Sequence, residues 1–193
     1  MILENMLIAG VPSGVYAVVA RRRYRLNPPE IIGRLGLRLG EFRWYLAGLA
    51  ASVPFAAMGV LASTWTKDFQ GSMTGPFAGA TPSVSIFGGA LSYAFLATGL
   101  PEELLFRGLI AGALFRKFSF WTANVLQAII FLVPHLLILL VAPKVWFLMP
   151  GVLVLALTLG WLRHRSGSIG SCIVVHGASN LAGALAVLKW SRL

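Results

Sequence analysis

The sequence predicts an all-α protein, a polytopic transmembrane helical bundle of six to seven membrane helices, and three observations predict it. Of 193 residues, 58% are hydrophobic and only 11% charged, against about 45–50% and 25% in soluble domains. Mean hydropathy is +0.81. Apolar stretches near 2–20, 44–63, 84–100, 103–115, 119–142, 145–162 and 168–188 are separated by charge or by Gly, Pro and Ser. A bilayer crossing takes roughly 20 apolar residues, so these 193 residues hold at most about seven spans and no separate soluble catalytic domain. Chemistry in this chain belongs inside the membrane or at its edge.

The first stretch reads as a retained span with its N-terminus outside. A signal peptide starts with basic residues, whereas here Glu4 precedes the apolar run and Arg21, Arg22, Arg23 and Arg25 follow it. The loop 21–43 holds seven of the sixteen basic residues, which predicts that it is cytoplasmic. Alternation over seven spans then places Lys144, Lys189 and Arg192 on the same side, and Lys67, Arg116, Lys117, Arg163 and Arg165 outside. Within this loop Ile31, Ile32, Leu35, Leu37 and Leu39 are interspersed with Arg34, Arg38 and glycines. The segment is either an interfacial stretch on anionic headgroups or an ordinary solvated basic loop. The stretch 63–83, polar and rich in Gly and Pro, reads as a flexible external loop. The expected organisation is one integral membrane domain, with N-terminal helices and the basic loop in 1–83 and a helical core in 84–193.

A formal charge of +10 raises the question of nucleic acid, but the basic residues sit in short clusters between apolar runs, as membrane orientation requires. The lone Cys172 excludes an internal disulfide and a thiolate metal cluster. His164, between Arg163 and Arg165, belongs to a solvated edge cluster. Trp44, Trp65, Trp121, Trp146, Trp161 and Trp190 lie mostly near span ends, as interfacial anchors do.

Polar residues inside the apolar runs are the candidates for chemistry. Glu102 and Glu103 are two of only six acidic residues, and Arg107 follows them in an otherwise apolar region. An ionised group near the centre of a membrane helix costs roughly 2.5–3.5 kcal/mol, so such groups face a cavity or a partner. Pro101 suits the first turn of a new helix, whose positive end would face the two carboxylates. Glu103 and Arg107 are four apart and share a face, while Glu102 is turned about 100° away. Glu103 is thereby expected to pair with Arg107, leaving Glu102 as a carboxylate able to act as a general base. His135 lies one helical turn after Phe131, and His176 one turn before Asn180. Pro134, just before His135, removes a backbone hydrogen bond from the helix that presents the imidazole.

Glu-Glu-Leu-Leu-Phe-Arg at 102–107, Phe131 with His135, and His176 with Asn180 resemble the motifs EExxxR, FxxxH and HxxxN of the CPBP family. That family joins CAAX prenyl endopeptidases with bacteriocin-processing and Abi-like immunity-related proteins. The likeness spans roughly 84–190 and includes Phe106-Arg107-Gly108 and the turn at 165–168. It implies an all-helical intramembrane protease in which Glu102 activates water, His135 positions that water, and His176 and Asn180 stabilise the oxyanion. Glu103 and Arg107 would support the helix, with Phe131 as a further structural residue. His135, His176 and Glu102 are also candidate zinc ligands, so a zinc cofactor and none at all both stay open. The implied partners are the lipid bilayer and a membrane-associated peptide or lipidated C-terminus, with no nucleic acid. The expected place is a prokaryotic plasma membrane, with the site facing the cytoplasm because the 21–43 loop puts the start of the Glu102 helix on that side.

Two readings from other classes accommodate the same residues: a non-catalytic immunity or scaffold protein, and a small proton-coupled transporter. Other intramembrane protease chemistries fit poorly. No HExxH occurs, and Asp68 is the only aspartate, which excludes an aspartyl dyad. Gly177-Ala178-Ser179 faintly resembles a rhomboid serine motif, but no histidine follows Ser179; Ser179 reads as a small packing residue.

Overall fold

A computed structural model describes residues 2–66, 75–140 and 142–189, without the side chains of residues 2 and 64–66. Lys67, Asp68, Trp190 and Arg192, and the Trp65 side chain, lie outside the described residues. Regular structure among the described residues is entirely helical, forming the expected polytopic bundle. The helices are α1 Ile2–Tyr24, α2 Pro28–Leu35, α3 Phe42–Thr66, α4 Val84–Phe115, α5 Phe120–Ile138, α6 Met149–Ser166 and α7 Gly170–Ala186. A 3₁₀ turn, Pro143–Leu148, leads into α6. Five helices (α1, α3, α4, α5, and α6 with its leading turn) are long and apolar enough to cross a membrane, and α7 is a shorter apolar helix.

The sequence suggested two helices at 84–100 and 103–115, with a new helix starting at Pro101. The structure corrects this to one column. Gly99 and Leu104 keep right-handed helical dihedrals on either side of the proline. The flanking segments Ser92–Gly99 and Leu104–Ala111 are wound as wider π turns, so Leu100 N–H reaches back five residues to Phe95 O. A π-widened helix carries a proline without breaking, because its hydrogen bonds are re-registered around the missing N–H. Glu102 and Glu103 therefore sit mid-helix and gain nothing from a positive helix end.

One span fewer also changes which charges share a side. The expected placement of Arg116, Lys117, Arg163 and Arg165 opposite the 21–43 loop does not hold. Arg163 Nη2 donates to Arg34 O at 3.0 Å, Arg38 Nε to Gly167 O at 3.1 Å, and Ser168 Oγ to Arg38 O at 2.6 Å. The Arg116 guanidinium lies 5.9 Å from the Tyr16 ring. The loop after α1, the end of α4 and the α6–α7 turn thus form one arginine-rich end. Gly108 and Gly112 permit this: an added Cβ would stand 2.8 Å from Leu35 O and 2.7 Å from Arg34 O.

The segment 31–39 is largely the short helix α2. Its start is a capping box, with Asn27 Oδ1 accepting from Glu30 N and Glu30 accepting from Asn27 N, and Gly36 at φ 69° ends it. Ile31 and Leu35 are buried against Ala20, while Ile32, Leu37 and Leu39 are exposed. The described part of the 63–83 loop is anchored. Phe77 packs 5.6 Å from the Tyr93 ring, and Gly79 N–H donates to Val187 O at 2.8 Å.

α3 and α7 meet along small residues. A Cβ at Gly48 would stand 3.0 Å from Ser171 O, and one at Gly59 would overlap the Ser179 carbonyl. Ser179 Oγ donates to Phe55 O at 2.7 Å, which is a packing role. Close approach of small-residue faces is how membrane helices gain dispersion energy where lipid offers no hydrophobic contrast.

Candidate active site

Each predicted polar residue reaches the bundle interior by helical spacing. Glu103 and Arg107 are both fully buried, and Arg107 Nη1 donates to Glu103 Oε1 at 3.0 Å. The same oxygen accepts from His176 Nδ1 at 2.7 Å. Glu103 is thus the shared acceptor of α4 and α7. The Arg107 guanidinium also lies 4.1 Å from the Phe131 ring, a cation–π contact strengthened by the burial of both groups. Phe131 is the hub of the site, with its ring 4.6 Å from His135, 6.2 Å from His176 and 4.9 Å from Phe106.

Glu102 differs from its neighbour. Its side chain is 28% exposed where that of Glu103 is 0%, and it lines a cavity of about 310 Å³ together with His135, Asn5, Pro101, Phe106 and Pro134. His176 Nε2 lies 3.7 Å from Glu102 Oε2, beyond a direct hydrogen bond. His135 Nδ1 lies 2.9 Å from Phe131 O; a carbonyl only accepts, so Nδ1 carries the hydrogen and Nε2 faces elsewhere. His176 is assigned the same way by its carboxylate partner, with Nε2 toward Glu102.

Asn180 stands apart from this group. Its amide donates to Thr98 Oγ1 at 2.8 Å, and Thr98 donates in turn to the Tyr93 and Ala94 carbonyls. Thr98 is one turn before Glu102 on α4, so Asn180 is coupled to the glutamate helix. His164 contacts the Phe115 and Phe120 rings at 5.0 and 4.7 Å, at the arginine-rich end. Among the described residues no group of three His, Cys, Asp or Glu side chains is placed to hold a metal ion. The candidate set Glu102, His135 and His176 does not form a ligand sphere as arranged.

Sequence reasoning missed three contributors. Asn5 lines the cavity from α1. Thr98 receives Asn180. Arg163 is buried and donates to Arg107 O at 3.2 Å as well as to Arg34 O, tying the arginine-rich end to the glutamate helix. Asn5 was legible as an amide inside an apolar run; Thr98 and Arg163 carried no such mark.

The cavity lies toward the end of the bundle remote from the arginines. Asn5 is near the start of α1, whose last turn holds Arg21, Arg22 and Arg23, and His135 is in the last turn of α5, whose start adjoins Arg116. Glu102 is fourteen residues before Arg116, at most about 21 Å at the α-helical rise of 1.5 Å per residue.

No curated protein and no solved structure matches the chain. A family model, type II CAAX prenyl endopeptidase Rce1-like, matches residues 84–182. That segment runs from the first residue of α4 into α7 and contains Glu102, Glu103, Arg107, Phe131, His135, His176 and Asn180. A match over half of the chain places this protein, an integral helical membrane protein, in the Rce1-like family of type II CAAX prenyl endopeptidases, whose members are CAAX-type proteases.

Proposed function

We propose that the protein is an intramembrane endopeptidase that hydrolyses a peptide bond in a membrane-associated or lipidated peptide, with Glu102 as the general base. The observation that carries this reading is the division of labour between adjacent carboxylates: Glu103 is sealed between Arg107 and His176, whereas Glu102 reaches the cavity. Water in the cavity gives its proton to Glu102 as its oxygen attacks the substrate carbonyl. His135, on the same cavity wall, accepts from that water through Nε2 and orients it. The charge developing on the carbonyl oxygen is met by the Nε2–H of His176, which acts as an imidazolium between the Glu103 and Glu102 carboxylates, and by the second amide N–H of Asn180, the first being held by Thr98. Glu102 then returns the proton to the leaving amine. Glu103, Arg107 and Phe131 hold α4, α5 and α7 in register. In this division the chemistry belongs to 84–193, with 1–83 supplying one cavity wall.

We further assign the arginine-rich end to the cytoplasm by the positive-inside rule. On that placement the cavity opens in the opposite half of the membrane. The expectation of a cytoplasm-facing site relied on a helix starting at Pro101, for which the continuous α4 leaves no basis.

The test is a comparison of membrane peptides from cells expressing the wild type and Glu102→Ala. The expected result is a new peptide C-terminus present only with the wild type. A scaffold yields no such product, and a proton-coupled transporter loses transport in Glu102→Gln without any peptide being cleaved.

A further inference from the structure

Asn5 is the polar member of the three α1 residues lining the cavity, and it lies outside the matched segment 84–182. Its amide donates to Ala97 O at 2.7 Å. Ala97 is fully buried and stands four residues before Pro101. Between the π bond from Leu100 N–H to Phe95 O and the α bond from Leu104 N–H to Leu100 O, the four carbonyls of residues 96–99 face only two helix N–H groups, those of Glu102 and Glu103, because Pro101 has none. A carbonyl without a partner in the membrane interior is costly. Asn5 supplies from α1 a donor to this run of carbonyls, which the missing N–H of Pro101 leaves short just before Glu102. α1 also packs on α4 on both sides of this point.

We propose that Asn5 is a positioning residue for Glu102: by holding the Ala97 carbonyl it keeps α4 at Pro101 in the conformation that directs Glu102 into the cavity. The inference rests on Glu102 as the base and makes α1 part of the active site. A role in packing alone would lower abundance or melting temperature while leaving turnover per folded molecule intact. A positioning role changes turnover.

The experiment is a double-mutant cycle in proteoliposomes, read as cleavage of a farnesylated peptide ending in a CAAX sequence and normalised to folded protein. Asn5→Ala is expected to lower kcat by about fivefold or more, the equivalent of one hydrogen bond, with KM within about twofold. In a Pro101→Ala background, where residue 101 again has an N–H, the same substitution changes kcat by less than about twofold. Asn5→Leu, similar in size but with no donor, should match Asn5→Ala. Wild-type kcat in Asn5→Ala or Asn5→Leu, or an equal loss in both backgrounds, overturns the proposal. Should Pro101→Ala fail to accumulate, the two Asn5 variants decide it alone. If the wild type cleaves nothing, the proposed function fails separately. The positioning claim is then read from alkylation of Glu102→Cys in a chain carrying Cys172→Ala: a rate shifted several-fold by Asn5→Ala supports it, and an unchanged rate sinks it.

Discussion

Two regions of this bundle hold buried arginine, and they do so differently. At the arginine-rich end, Arg163 is bound by backbone carbonyls, those of Arg34 and Arg107. In the interior, Arg107 is bound by a carboxylate, Glu103, and by the face of Phe131. Carbonyls leave the positive charge uncancelled, which is tolerable beside headgroups. Deeper in the membrane the charge needs an opposite one, because the cost of an isolated ion there is several kcal/mol. The first region latches helix ends together. The second neutralises one glutamate and leaves its neighbour available.

The largest effect expected from breaking this contrast is at the neighbour itself. Glu102→Gln keeps the side chain's size and removes its proton acceptance, so cleavage should fall by about 10²–10⁴-fold with an unchanged melting temperature. Activity within about tenfold of wild type would show that another group is the base.

Next in size is Arg107→Ala, which strands Glu103 in a fully buried site already shared with His176. A loss of about 3–5 kcal/mol of stability is expected, measured as reduced folded protein and a lowered melting temperature. An Arg107→Ala/Glu103→Gln double variant should recover part of it. No recovery would mean that the pair is not what Arg107 contributes.

Arg163→Leu should do less, about 2–3 kcal/mol, because only one of its two charge-assisted hydrogen bonds, that to Arg107 O, is fully buried and the one to Arg34 O counts for less. Its signature is selective: the region of α2 and the α6–α7 turn should gain hydrogen exchange while the interior of α4 stays protected. Uniform exchange throughout the bundle would erase the distinction between the two regions.

The smallest effect is Ser179→Ala. Losing one interhelical hydrogen bond to Phe55 O should cost about 0.6 kcal/mol and leave cleavage unchanged; abolished cleavage would revive a serine mechanism. Sidedness is tested separately with single cysteines in a chain carrying Cys172→Ala. Position 102 and position 38 should be labelled from opposite sides of sealed vesicles, and labelling of both from one side would refute the placement of the cavity.

Sequence by itself determined the class of molecule, the membrane setting and which polar residues inside the apolar runs are the candidates for chemistry. The reason is energetic: a charge or imidazole inside an apolar run is too costly to be idle, so Glu102, Glu103, Arg107, His135 and His176 stand out without a structure. Spacing also determined the Glu103–Arg107 pair, because residues four apart on a helix meet whatever surrounds them. Only the tertiary structure decided the rest. Whether Pro101 begins a helix or sits within one depends on π turns and on a donor from α1, a helix about a hundred residues away in sequence. The side on which Arg116 and Arg163 lie followed from that one decision, since each helix gained or lost reverses every later loop. The partners of Asn180 and Arg163, Thr98 and two backbone carbonyls, are ordinary groups that become binding sites only where separate helices bring them together.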